Sequence, residues 1–190
     1  MFDMLLNADI WLFRLINDGM QNAVFDFLAP LLTNKKNWTP IFIIVVVALA
    51  WKGGYRGRVA LLLTIPVILL SDQISATFIK PMVARIRPCV ALDNVNALIG
   101  IKKSFSFPSS HAANSIAAAT LYSRFYPDKR FYFFVLAIII CFTRVYVGVH
   151  YPFDVVAGGL IGYASALFVY KVYLLIEKKY KIHSELDRTN

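Results

Sequence analysis

Apolar residues along this chain gather in long runs joined by short polar connections, and the runs set the predicted elements. Crossing a bilayer core takes about 20 helical residues, fewer where a span borders a protein-lined cavity. Five segments read as such spans: 38–51, 59–79, 110–125, 131–147 and 153–176. The first is flanked by Lys36 and Lys52, and the second is interrupted by Asp72. The third is rich in Ala and Ser, small residues that let membrane helices approach closely. The fourth carries Arg144 near its end. The fifth begins beside Asp154 and contains Gly158, Gly159 and Gly162. Ionisable residues inside apolar spans are costly, so each is a candidate for function.

Residues 1–34 follow a different pattern. Leu5, Leu6, Ile10, Leu12, Phe13 and Ile16 form a helical stripe that stops at Asn17-Asp18-Gly19, and a second stripe runs over 24–32 and ends at Asn34. Each piece reaches only about 16–18 Å at 1.5 Å per residue, too short to cross. They are expected to be interfacial or partly re-entrant helices, with a sixth span as the alternative. The expected organisation is an all-α polytopic membrane bundle over 35–177, preceded by the N-terminal pair (1–34) and followed by a solvated cytoplasmic tail (178–190). No cationic stretch precedes the first apolar residues, so a cleaved signal peptide is not expected.

Composition agrees with the pattern. The 190 residues are 58% hydrophobic and 16% charged, with a mean hydropathy of +0.60, outside the range of soluble chains. The net charge of +9 is scattered between apolar runs and forms no basic stripe, which argues against nucleic acid as partner. Cys89 and Cys141 are too isolated for a disulfide framework or a zinc site. Cations at 52–58, 124–130 and 178–181 share one predicted face, which the positive-inside rule makes cytoplasmic. The 80–109 loop and the 148–152 turn then lie together outside. That outer loop also holds Lys80, Arg85, Arg87, Lys102 and Lys103, so some of its cations need another task.

Three clusters on the outer face supply it. In Lys80-Pro81 to Arg87-Pro88, Pro81 disfavours helix at Lys80 and Pro88 pushes Arg87 towards extended backbone. A guanidinium fork and an ammonium suit a phosphate, although cations snorkelling at a membrane edge would look the same. In Pro108-Ser109-Ser110-His111, a serine at a helix start leaves free amides and a positive dipole end, a ready anion site. His111 stands in the first turn, where a histidine alone is more often structural. In Arg144 to Asp154, Gly148 permits a turn and Pro152 suits the first position of a helix. His150 lies just before that helix, and Asp154, four residues on, can accept its Nδ1 hydrogen and leave Nε2 as a nucleophile. The plain alternative is an aspartate that only caps a helix.

Together these motifs resemble the type 2 phosphatidic acid phosphatase (PAP2) superfamily. Its pattern is Lys, six residues, Arg-Pro; then Pro-Ser-Gly-His; then Ser-Arg, five residues, His, three residues, Asp. The matches are Lys80, Arg87 and Pro88; Pro108, Ser109 and His111; and Arg144, His150 and Asp154. Ser110 replaces the usual Gly, and Thr143 the usual Ser. The resemblance implies that His150 attacks phosphorus, Asp154 orients it, and His111 protonates the leaving oxygen and later activates water. Lys80, Arg87, Ser109, Ser110 and Arg144 would hold the phosphoryl oxygens. No carboxylate cluster of the kind a divalent metal needs accompanies the motifs, so neither metal nor other cofactor is expected.

Three other readings compete. Vanadate-dependent haloperoxidases share the motifs but resemble larger soluble chains. A lipid phosphotransferase would replace water by an acceptor alcohol. A transporter would line a path with Asp72, Arg144 and Lys171, leaving two histidines at one mouth unexplained. The expected substrate is a membrane lipid phosphate or diphosphate at the outer face of the cell membrane. Undecaprenyl diphosphate, phosphatidylglycerophosphate, phosphatidate and lipid A phosphate all fit, and nothing in the sequence sets the oligomeric state.

Overall fold

Each apolar run folds as a helix in the computed structural model, which describes residues 2–179. The N-terminal pieces are α1 (Phe2–Asn17) and α2 (Ala23–Thr33), followed by α3 (Lys35–Lys52). Next, α4 (Gly54–Asp72) continues through a π-helical stretch, Gln73–Ile79, into the short α5 (Lys80–Val83). A single turn, α6 (Pro88–Ala91), precedes α7 (Ser110–Phe125), α8 (Arg130–Tyr146) and α9 (Pro152–Lys179). No strand occurs among the described residues. The expected tail lies outside them, except for Lys178 and Lys179, which close α9.

Local chemistry explains the boundaries. The Asn22 side chain accepts from the amides of Val24 and Phe25 and starts α2. Asn34 ends α2 and, through its side chain on the Lys36 amide, starts α3, as expected of N-cap asparagines. Lys80 departs from the sequence expectation, because it is helical despite the following proline. Its amide donates to the Ser75 carbonyl across the π-helical turn, and Pro81 falls in the first turn of α5, where a missing N–H costs nothing. The chain then breaks at Ala84, with φ +49°.

At the centre, α7 packs against α4, α8 and α9. The inner core consists of Ala60 and Val67 of α4, Ala117, Leu121 and Phe125 of α7, and Ala166 of α9. Small residues set the α7–α9 spacing. A Cβ on Gly158 would stand 2.3 Å from the Ser109 carbonyl oxygen, and one on Gly162 would stand 1.9 Å from that of Ala113.

Two helical stretches, Gly54–Ala91 and Pro152–Lys179, are long and apolar enough to cross a membrane. The other three predicted spans are helices of 18, 16 and 17 residues. In α3 every residue from Ile41 to Val47 is exposed. A helix apolar on all sides and uncovered by protein calls for an apolar medium.

The N-terminal pair packs on the bundle: α1 against α8 and α9, α2 against α8. Buried Asn17 donates to the carbonyls of Asn96 (3.1 Å) and Tyr146 (2.7 Å) and accepts from the Asn96 amide (3.0 Å). Arg14 donates to the Asp93 carbonyl at 2.6 Å. The Tyr146 hydroxyl donates to Asp26 at 2.6 Å. These bonds tie α1, α2, the 92–100 loop and the end of α8 into one block.

Candidate active site

Lys80, Arg87, Ser109, Arg144, His150 and Asp154 come together where five chain segments end. Lys80 closes the π-helical stretch, Arg87 precedes α6, Ser109 to His111 open α7, Arg144 ends α8, and His150 and Asp154 open α9. Gly148, at φ +81°, makes the turn between α8 and α9. A Cβ there would also meet Val95 Cγ1 at 2.8 Å, so the turn requires glycine twice over.

His150 is buried, 2% exposed. Arg87 Nη1 lies 3.1 Å from its Nε2. A guanidinium only donates, so Nε2 must carry its lone pair and the ring proton must sit on Nδ1. Burial, followed by the charges of Arg87, Arg144 and Lys80, pushes the imidazole pKa well below its ordinary 6.5. The ring is therefore neutral with its lone pair facing cations, the state a nucleophile needs.

The Asp154 contact differs from the expected hydrogen bond. Oδ2 lies 3.6 Å from His150 Nδ1, too long for one, while the Ser106 backbone also reaches the ring. Asp154 instead accepts from the Tyr151 amide through Oδ2 (2.9 Å) and from Arg85 through Oδ1 (2.7 Å).

The cations are strung along the loop before α7. Lys80 Nζ donates to the carbonyls of Pro108 (2.7 Å) and Phe105 (3.3 Å). Arg87 donates to the Ser104 carbonyl (2.7 Å), the Ser104 hydroxyl (3.0 Å) and the Val149 carbonyl (2.8 Å). The extended backbone expected at Arg87 is present, with φ −70° and ψ 150°. Buried Arg144 donates through Nη1 to Thr33 of α2, while its Nε has no partner.

Ser109 occupies the N-cap of α7, but its hydroxyl makes no capping bond. That hydroxyl is buried and unpartnered, while the Ser109 amide donates to the Asp154 backbone carbonyl at 2.9 Å. The Ser110 hydroxyl is 3.5 Å from that of Ser75. His111 is half-buried in the first turn of α7. Cys89 and Cys141 are buried free thiols.

Two charged residues escaped the sequence analysis as site components. Arg85 counts there only as a loop cation, and Asp9 is not singled out. Yet Arg85 Nη1 lies 2.7 Å from both Asp9 Oδ2 and Asp154 Oδ1. The available signal was Asp9 itself, an ionisable residue within an amphipathic stripe. Asp72, Arg144 and Lys171 form no common path: Asp72 accepts from Asn114, Arg144 is held by Thr33, and Lys171 is exposed on α9. Among the described residues, no three His, Cys, Asp or Glu side chains gather as a metal-ligand group.

Comparison with known proteins agrees with the motifs. The model of the PAP2 superfamily matches residues 61–177. A lipid A 4'-phosphatase of Bacteroides thetaiotaomicron is 31% identical over 173 residues, covering 85% of this chain and 75% of that protein. An undecaprenyl-diphosphatase of Sulfolobus acidocaldarius is 26% identical, covering 83% and 74%. The crystal structure of Aquifex aeolicus LpxE superposes with a TM-score of 0.71 at 25% identity, covering 85% of this chain and 94% of the other.

Proposed function

The chain belongs to the PAP2 superfamily of phosphatases, and on that premise we propose that it is an integral membrane lipid phosphatase working through a phosphohistidine on His150, without a metal ion. His150 Nε2 attacks phosphorus, the bond from phosphorus to the lipid oxygen breaks, and His111 gives that oxygen its proton. Water then attacks the phosphohistidine while His111 takes its proton. The P–N bond breaks, phosphate leaves and the lone pair returns to Nε2. Asp154 faces the Nδ1 side and offsets the positive charge the ring carries as an adduct. Lys80, Arg87, Arg144, the Ser109 hydroxyl and the Ser110 amide stabilise the phosphoryl oxygens. Arg87 exchanges Nε2 for a phosphoryl oxygen as substrate enters, because a charged acceptor makes the stronger bond.

The observation that carries this reading is a pair of unpartnered buried polar atoms on the predicted residues, Ser109 Oγ and Arg144 Nε. Each such atom costs about 1–3 kcal/mol. A bound phosphoryl group would satisfy both.

In this reading the bundle has five spans, with a sixth crossing by residues 1–34 as the alternative, and the cations at 52–58, 124–130 and 178–181 support a cytoplasmic face opposite a site at the outer face of the cell membrane. The substrate is a lipid phosphate or diphosphate, since the two relatives named above act on different lipids. The test is phosphate release by purified protein from undecaprenyl diphosphate, phosphatidylglycerophosphate, phosphatidate and lipid A phosphate, with and without a chelator. Turnover of at least one is expected, undiminished by the chelator and abolished by His150→Ala. Activity within tenfold of wild type in that variant, or full loss with chelator restored by magnesium, overturns the mechanism. Transfer of phosphate to an alcohol in place of water would make the enzyme a phosphotransferase.

A further inference from the structure

The reading above leaves one buried ionic network without a task. The Arg85 guanidinium bridges Asp9 of α1 and Asp154 of α9, at 2.7 Å from each, and lies 3.8 Å from the centroid of the Tyr151 ring. Both carboxylates are closed to solvent, Asp9 at 1% and Asp154 at 0% exposed. Their remaining oxygens are engaged too. Asp9 Oδ1 accepts from the Phe153 amide and Asp154 Oδ2 from the Tyr151 amide, both at 2.9 Å. The network thus grips the backbone on either side of Pro152, immediately after His150.

We infer that Arg85, anchored by Asp9, is a positioning residue that fixes the Asp154 carboxylate behind His150 and keeps it ionised. The inference rests on His150 being the nucleophile. Two buried carboxylates brought together without a cation repel each other, and one takes a proton. A protonated Asp154 could not offset the charge on His150 when Nε2 bonds phosphorus. With Arg85 between them the three charges sum to −1, so one negative charge remains to face the ring.

Geometry points the same way. Arg85 and the Tyr151 amide hold one carboxylate oxygen each, leaving Asp154 no freedom to rotate away from Nδ1. An arginine suits this place because one planar group can join two carboxylates and stack on an aromatic ring. Direct binding of phosphate by Arg85 is disfavoured, since Nη1 is already shared between two anions.

The experiment uses the full chain in detergent with Arg85→Gln, Asp9→Asn, the double variant and His150→Ala. It reads kcat, KM and the thermal unfolding midpoint on a lipid phosphate. Arg85→Gln should lower kcat about 100-fold, the cost of misplacing a reacting group by roughly 1 Å, with KM within threefold. Millimolar guanidinium ion should restore part of that kcat. Asp9→Asn should lower kcat less, and the double variant should be no worse than Arg85→Gln, because both act through one network. A raised KM with unchanged kcat would make Arg85 a phosphate ligand and overturn the inference. A kcat loss that tracks a fallen unfolding midpoint and ignores guanidinium would overturn it too, leaving a structural tie. If His150→Ala remains active, the nucleophile assignment itself fails, and that outcome is separate from the others.

Discussion

Burial first, then the charges of Arg87, Arg144 and Lys80, disfavour the imidazolium of His150 and lower its pKa. The proposed attack needs the neutral ring, so activity should disappear only as pH falls through this lowered value, below the ordinary 6.5. A profile of kcat/KM against pH, corrected for ionisation of the substrate, should therefore keep more than half its plateau at pH 6.5. An acid limb centred at or above 6.5 would contradict the assignment. In the proposed mechanism His111 protonates the leaving oxygen, so His111→Asn should slow an alkyl phosphate more than an aryl phosphate, and equal losses on both would contradict that role. The residues of this chemistry were legible in sequence because their spacing is local. His150 and Asp154 lie one helical turn apart, and Pro88 fixes the backbone of Arg87. The partnership of Arg85 with Asp9 was not legible, because it joins α1 to the far end of the α4 rod through tertiary packing alone. The 3.6 Å spacing in place of the expected Nδ1 bond was not legible either: Arg85 and the Tyr151 amide hold the Asp154 oxygens so that the carboxylate faces the ring as a charge.

Helix ends place the groups, and the close approach of α7 to α9 keeps the ends in register. Gly158 backs the Ser109 carbonyl and Gly162 that of Ala113, so the position of the start of α7 is set by the two missing methyl groups on α9. Gly162→Val should therefore destabilise the protein by about 1–3 kcal/mol or more through overpacking, and lower kcat by shifting Ser109. Gly159→Ala is the control, since its Cβ would meet only Ile116 Cγ1 at 3.5 Å. Thermal unfolding in detergent and turnover measure both, and equal behaviour of the two variants would contradict this account of the helix contact. Hydrophobic runs located the helices well from sequence. The π-helical stretch before Lys80 was missed because apolar periodicity over so few residues does not separate it from α-helix.

Across the whole molecule, the N-terminal pair is the part whose role sequence least revealed. Short amphipathic stripes suggested interfacial helices, yet α1 sends Asp9 to Arg85 and α2 sends Thr33 to Arg144. The pair thus reaches the catalytic machinery whether or not it crosses the bilayer. Reporters fused at each terminus decide the crossing: five spans put the tail inside and the N-terminus outside, whereas both termini inside would show that residues 1–34 cross. Either result is compatible with the proposed position of His150 at the outer face, where bond breaking would occur. The most direct test of that chemistry is rapid quench of the purified enzyme with a lipid phosphate labelled in its phosphoryl group. The account predicts a covalent phosphoenzyme that is stable in alkali, labile in acid, mapped to His150 and absent from His150→Ala. Full turnover with no phosphoenzyme at any quench time, or with the label on another residue, would contradict it.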